Sequence, residues 1–373
     1  MPAESGGAPR KSRRRLLDWK AVVGIAISAG ALWFTFRGME LRDVFTELAA
    51  ADPLLMLLSA AAVTGVFWIR AWRWRAILKP IGDTPFRSRF SAVTIGFMGN
   101  NLLPARIGEF MRAYALSRQE PIPLVASFAS LVIERLFDGV LVVTLLFVAM
   151  SMPGFPAFDV AETIPIIGLD GGVRLATLAR GMAVFVGAAV LILFALVLMP
   201  TRAVRTIERV VRILPLSFRR PIIDALEAFL AGVSVLRDPG LLLRTAGWST
   251  FLWLFNAVGC WIAFRAFGFE LPFVAAVFFQ SAIALAVSVP AGPGFIGVYH
   301  AMAAFVLANL WGEPDVNARA FAVGFHLVGF IPVTVIGLYY AWRMGLSMGE
   351  VTSSEEVVED AVERRSGVDP DRR

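Results

Sequence analysis

The chain has 373 residues, 57% of them apolar and only 17% charged, with a mean hydropathy of +0.70. Soluble domains carry about 25% charged residues, and the apolar residues here come in long unbroken runs, so a water-soluble fold is excluded in favour of an all-α, polytopic membrane protein. A lone cysteine, Cys260, forbids an intramolecular disulfide, and two histidines, His300 and His326, without HExxH or CxxC spacing leave no basis for a metal or cofactor.

The first 18 residues hold the basic run Arg10-Lys11-Ser12-Arg13-Arg14-Arg15, and an apolar stretch follows from Ala21 to Phe36 behind Trp19 and Lys20. That is a basic flank and an aromatic anchor ahead of a span. A cleaved signal peptide ending at Ala29-Gly30-Ala31 is the rival reading, but the apolar run continues past it, which favours an uncleaved first span. The net charge of +6 lies beside such spans, where anionic headgroups, not nucleic acid, are the nearer partner.

A second span is expected at Leu54–Ile69, followed by Arg70-Ala71-Trp72-Arg73-Trp74-Arg75, read as an interfacial anchor with snorkelling arginines and, more weakly, as a headgroup site. The next apolar piece, Ser91–Leu103, rises only about 20 Å as a helix against a hydrocarbon core of about 30 Å. It is half of a re-entrant hairpin or an interfacial helix. Further spans are expected at Leu124–Met150, Met182–Met199, Trp248–Phe267 and Phe321–Trp342. Between the last two, Phe273–Val289 and Phe295–Leu310 are marginal in length and joined by Pro290-Ala291-Gly292-Pro293-Gly294, which cannot continue a helix.

Loop charges set the expected orientation. The loop after the second span, with Arg70, Arg73, Arg75, Lys79, Arg87 and Arg89, and the segment Thr201–Arg237 with seven arginines read as cytoplasmic; Arg37–Asp52, Ser151–Arg174 and Gly312–Arg319 lean acidic and read as external. These agree only if Ser91–Arg118 and Phe273–Leu310 each return to the side they entered. The expectation is six full spans, both termini in the cytoplasm of a cell whose inner (plasma) membrane holds the protein, and two hairpins dipping in from opposite faces, as an inverted repeat produces. A transmembrane domain over 19–343 would comprise halves at 19–200 and 240–343, joined by amphipathic helices at 201–239, with a disordered tail at 344–373.

A helix broken within the bilayer leaves backbone groups to be satisfied by protein or a wet cavity, and exposed helix N-termini attract phosphate. At the first break stand Asn100, Asn101, Pro104, Arg106, Gly108, Glu109 and Arg112. On a helix Glu109 can pair with Arg106 or Arg112, leaving the other arginine for an anionic headgroup; mutual neutralisation in a headgroup-level loop is the plainer reading. Glu134, Arg135 and Asp138 open a long apolar segment at mid-membrane or interfacial depth, with Arg135 and Asp138 as the expected internal pair. At the second break, Gly292, Gly294 and Gly297 permit close approach after Pro290 and Pro293, Tyr299 and His300 follow, and His326 reads as a packing residue.

Asn101-Leu102-Leu103-Pro104-Ala105-Arg106-Ile107-Gly108-Glu109-Phe110-Met111-Arg112, then Glu134-Arg135-Leu136-Phe137-Asp138, then Pro290 with its glycine-rich break, resemble the lysylphosphatidylglycerol synthase transmembrane-region family of flippase-like proteins over roughly residues 20–343. The resemblance implies a bacterial or archaeal membrane protein that moves, or helps to move, a lipid between leaflets. Where that family usually carries a glutamate after the break, this chain has His300. With about thirty residues after the last span, synthesis of an aminoacylated lipid is not expected. Three functions follow: a transporter of an anionic lipid, with Arg106 and Arg112 on phosphate; a membrane-embedded enzyme limited to Glu109, Glu134 and Asp138, without a P-loop or GxSxG; or a non-catalytic partner of a lipid-biosynthesis enzyme.

Overall fold

Proline punctuates this chain twice in the same order. Asp52-Pro53, Pro85-Phe86 and Pro123-Leu124 are answered by Asp238-Pro239, Pro272-Phe273 and Pro314-Asp315, and each step opens a helix. Proline suits a helix start because its missing N–H has no partner there anyway. In both Asp-Pro steps the carboxylate completes the cap: Asp52 Oδ1 accepts from the Leu54 and Leu55 amides, and Asp238 Oδ1 from those of Gly240 and Leu241.

The computed structural model describes residues 19–104, 106–156, 163–164, 173–174, 238–288 and 291–346. In order they form α1 (Trp19–Phe36), α2 (Leu41–Ala50), α3 (Pro53–Leu78), α4 (Phe86–Leu102), α5 (Gly108–Gln119), α6 (Leu124–Ser151), α7 (Pro239–Ala266), α8 (Phe273–Ala286), α9 (Val298–Phe305) and α10 (Asp315–Arg343). A two-residue antiparallel pair, Thr163–Ile164 with Val173–Arg174, is the only extended structure among these residues. The expected span at 182–199, the basic N-terminus and amphipathic connector, Pro290, and all but the first residues of the tail lie outside the described residues.

Helices α3, α7 and α10 and the broken stretch Pro293–Leu310 are long and apolar enough to cross a membrane, and α1 with α2 makes a pair bent by 82°. Helix α6, at 28 residues, has the length, but Glu134, Arg135 and Asp138 interrupt its apolar run. The chain is therefore a polytopic membrane protein, as its composition requires.

Helices α3 and α7 run antiparallel along their whole length. The Asp52 amide donates to the Ala266 carbonyl, the Ser59 hydroxyl to that of Gly259, and Arg73 to Ser249 at the far end. Because a hairpin follows the C-terminal end of each, the two hairpins leave from opposite ends of this pair. In the first, α4 and α5 lie so close that a methyl group on Gly108 would stand 1.9 Å from the Gly96 carbonyl oxygen; Ser91 and Gln119 join its open end. The second is α8 and α9 with a 3₁₀ turn at Pro293–Phe295 and a π-helical turn at Val306–Leu310. Pro293–Leu310 is long enough to cross a membrane, and Trp311 after it lies 5.4 Å from Phe278 of α8.

The halves interlock: α10 packs on α4, with Gly337 against Thr94 and Met98, and α6 packs on α8. At the centre the hairpin tips touch. The Arg106 guanidinium donates to the Val287 carbonyl and lies over the Phe295 ring at 5.5 Å, and a methyl on Gly294 would sit 3.3 Å from the Asn101 carbonyl.

Candidate functional site

The sequence candidates separate into a sealed charge network and the two tips. Helical phase builds the network. Arg70, Arg73, Trp74 and Ile77 share the buried face of α3, while Trp68, Trp72 and Arg75 point outward. The run Arg70–Arg75 is thus no interfacial loop but the last third of a helix, and two of its arginines are core residues. Arg89 is buried as well, donating to the Ala71 and Thr84 carbonyls. Of the six basic residues expected in that loop, Arg75, Lys79 and Arg87 remain outward.

Arg73, with no exposed surface, meets Glu134 at 2.9 Å, both oxygens of Asp138, and the Ser249 hydroxyl. Arg70 approaches the same two carboxylates at 3.7 and 3.4 Å. From α5, Arg112 clamps Glu134 with two parallel bonds of 2.9 and 2.8 Å and stacks 4.0 Å above the Trp74 ring, which is fixed by its own bond to Ser130. The Trp253 indole donates to Asp138 from α7. Three guanidiniums thus enclose two carboxylates.

One expected pairing is corrected and the other is present. Glu109 pairs with neither Arg106 nor Arg112 but with Arg135, at 3.0 Å; Arg135 also pairs with Asp138 as expected, at 3.9 Å. Local helical spacing proposes neighbours within one helix, whereas the packing of α5 on α6 supplies a better partner from outside. Arg112, read as a phosphate ligand, already has both terminal nitrogens on Glu134. Buried ions of this kind persist because each is paired, and removing one partner typically costs about 3–5 kcal/mol.

The tips hold the remaining candidates. Asn101 donates to Thr334 at 2.8 Å and to the Phe330 carbonyl, tying the first tip to α10, while Asn100 packs beside Gly108 at the hairpin crossing. Pro104 ends α4's exit, and Arg106 follows with φ of 57°. Arg106 is exposed, and no carboxylate lies within ion-pair distance of it among the described residues. At the second tip the Gly292 amide donates to Ser28 of α1. Gly297 has φ of 94°, and a methyl there would meet the Ser28 carbonyl at 2.1 Å, so glycine is required on both counts. Tyr299 stacks on His326 at 4.4 Å, and His326 touches His300 at 3.4 Å. His326 is therefore part of a ring cluster, not an isolated packing residue.

Sequence reasoning missed Arg70, Arg73, Trp74, Ser249 and Trp253 in the network and Ser28 and Thr334 at the tips. Helical phase in α3 signals the first three; the others come from distant segments. Away from the spanning helices, the Lys79 ammonium beside Asp83 holds that carboxyl below the usual range. Among the described residues no three His, Cys, Asp or Glu side chains converge as metal ligands.

The model of the family described as lysylphosphatidylglycerol synthase TM region matches residues 21–337. Glycosyltransferase AglD of Haloferax volcanii is 28% identical over 94% of this chain and 58% of its own length, so the chain spans little more than half of that relative. A UPF0104 membrane protein of Methanothermobacter thermautotrophicus is 25% identical over 78% of the chain and 84% of its own length. Another, from Methanocaldococcus jannaschii, is 33% identical over 26% of the chain and 30% of its own length.

Proposed function

The chain belongs to the lysylphosphatidylglycerol synthase TM region family, and from that premise we propose that it carries an anionic phospholipid or lipid-linked intermediate between the leaflets of the plasma membrane. In this reading the hairpins are re-entrant, both termini are cytoplasmic, and the headgroup crosses where the tips meet while its chains stay in lipid. One observation carries it: hairpins from opposite ends of an antiparallel helix pair touch at Arg106, an exposed cation without a carboxylate partner among the described residues. Arg106 precedes the N-terminus of α5, the positive end of that helix's dipole, which favours a phosphate. With Arg112 committed to Glu134, the headgroup charge falls to Arg106. Transport is favoured over enzyme chemistry because Glu134 and Asp138 are enclosed by guanidiniums and Glu109 is held by Arg135, which leaves no unengaged carboxylate among the three candidates to act as base or nucleophile.

Reconstitution in liposomes with labelled lipids tests this. Phosphatidylglycerol, a polyprenyl phosphate and a sugar-bearing polyprenyl phosphate are the substrates of choice, the last because one relative is named a glycosyltransferase. A charge-assisted hydrogen bond contributes about 1.5–3 kcal/mol, so Arg106→Ala should slow transport about 10–100-fold while the protein still folds and inserts. Translocation no faster than in protein-free liposomes for all three lipids would refute transport; wild-type rates in Arg106→Ala would remove Arg106 from it.

A further inference from the structure

Both histidines of the chain stand at the second tip. The Gly297 amide donates to His300 Nδ1, at 3.4 Å. That nitrogen is then an acceptor, so the neutral ring carries its proton on Nε2. His300 Nε2 lies 3.4 Å from His326 Nδ1 and donates to it, which leaves the His326 proton on Nε2. The tautomers are assigned from these partners. With both rings neutral, a one-way chain runs from the Gly297 amide through His300 to His326.

Each imidazole has one acceptor lone pair, and both are used. A proton from water has no place to add without displacing a bond. On His300 Nδ1 it expels the Gly297 amide; on His326 Nδ1 it breaks the contact between the rings. The first of these disturbs the turn between Gly294 and Gly297, both held at positive φ, and Gly294 is the residue that packs against the Asn101 carbonyl of the opposite tip. We propose that the His300–His326 pair is a site for a single transported proton, and that its occupancy loosens the contact between the two hairpin tips. The coupling half of this inference rests on the transport function above.

The surroundings favour one proton on the pair. Tyr299 lies nearly parallel to His326, at 19°, offering a π face to an imidazolium. Facing the rings are Phe36 from α1, Phe330 from α10 and, at the neighbouring Tyr299, Cys260 from α7. The only titratable groups among these are the Tyr299 phenol and the Cys260 thiol. Arg319 is bonded to the Thr35 carbonyl and Asp315. Two like charges on rings in contact repel, so the second proton is disfavoured. His300 is buried while His326 is partly exposed.

With two histidines in the chain, nitrogen-15 histidine labelling of the whole protein in bilayers, purified without a histidine tag, reports on this site alone. Between about pH 8 and about pH 3, a window that reaches below the free-histidine range because the rings are packed away from solvent, the spectra should show one proton per chain taken up, with both rings changing together. Two rings titrating independently, or no uptake, would overturn the site. In transport assays an imposed proton gradient should change the wild-type rate by about fivefold or more, and His326→Gln should abolish that dependence. A gradient effect that survives in His326→Gln, or none in an active wild type, overturns the coupling. If the wild type transports no lipid at all, the function proposed above fails, and the nitrogen spectra still decide the proton site.

Discussion

At the end of α3, where the first hairpin begins, the corner between α3, α5 and α6 is filled by Arg70, Arg73, Arg112, Glu134 and Asp138. At the end of α7, where the second begins, the corner between α7, α8 and α10 is filled by Phe264, Phe269, Phe279, Phe321 and Phe325, with Phe321 5.0 Å from Phe264 and 5.5 Å from Phe279. The same order of helices is thus held together in one half by ions and in the other by rings. What the halves share is the punctuation of proline and the alternation of long helices with hairpins; what fills each corner is not dictated by topology. The chemistry is divided in the same way, with an arginine at one tip and a pair of histidines at the other.

The two fillings should fail differently. Aromatic packing is a sum of many small contacts, so trimming one ring removes only its share. An ion network needs every member, because a lost partner leaves a buried charge behind. Arg73→Ala exposes Glu134 and Asp138 to each other at once, and we expect a loss of about 3–5 kcal/mol, a large part of a typical stability of about 5–15 kcal/mol. Phe321→Leu in the opposite corner, a partial large-to-small change, should cost about 1–2 kcal/mol. Thermal unfolding of both variants in detergent is the measurement, and equal losses would erase the distinction between the corners.

Next in size are the glycines where backbones approach. Gly108→Ala and Gly297→Ala each set a methyl against a carbonyl oxygen, at 1.9 and 2.1 Å, and overpacking of this kind costs about 1–3 kcal/mol. Gly297 carries the added strain of its positive φ, so its variant should be the worse of the two. Gly139→Ala on α6, with open space around it, is the control and should be neutral or slightly stabilising. Unfolding temperatures that rank Gly139→Ala with the other two would show that the tips are not closely packed.

Much of this was legible in the sequence. Apolar runs located the long helices, and the short runs with glycine and proline between them located the hairpins, because length and helix breaking are local properties. The repeat itself is written in Asp52-Pro53 and Asp238-Pro239, in Pro85-Phe86 and Pro272-Phe273. The charge network was not legible as such. Arg70 and Arg73 have the composition of a membrane-surface anchor, and composition does not distinguish an arginine that snorkels outward from one that turns inward; only the spacing of Arg70, Arg73, Trp74 and Ile77 on one helical face carries that information. The partner of Glu109 is set by how α5 meets α6, and no spacing within α5 encodes it. His300 and His326 stand 26 positions apart on different helices and meet only because the second hairpin folds back on α10.

The smallest expected effect tests the symmetry of the scaffold. Asp52 and Asp238 each accept two amides ahead of α3 and α7, and loss of such a cap typically costs about 1 kcal/mol. If the halves enter the membrane core equivalently, Asp52→Ala and Asp238→Ala should lower stability by the same amount to within about 0.5 kcal/mol. The caps lie at opposite ends of an antiparallel pair, roughly 40 Å apart at the helical rise, and share no partner. The double variant should therefore lose the sum of the two. A double loss clearly larger than that sum would mean that fraying at one end is felt at the other, so that α3 and α7 open as a single unit along the seam on which both hairpins hang.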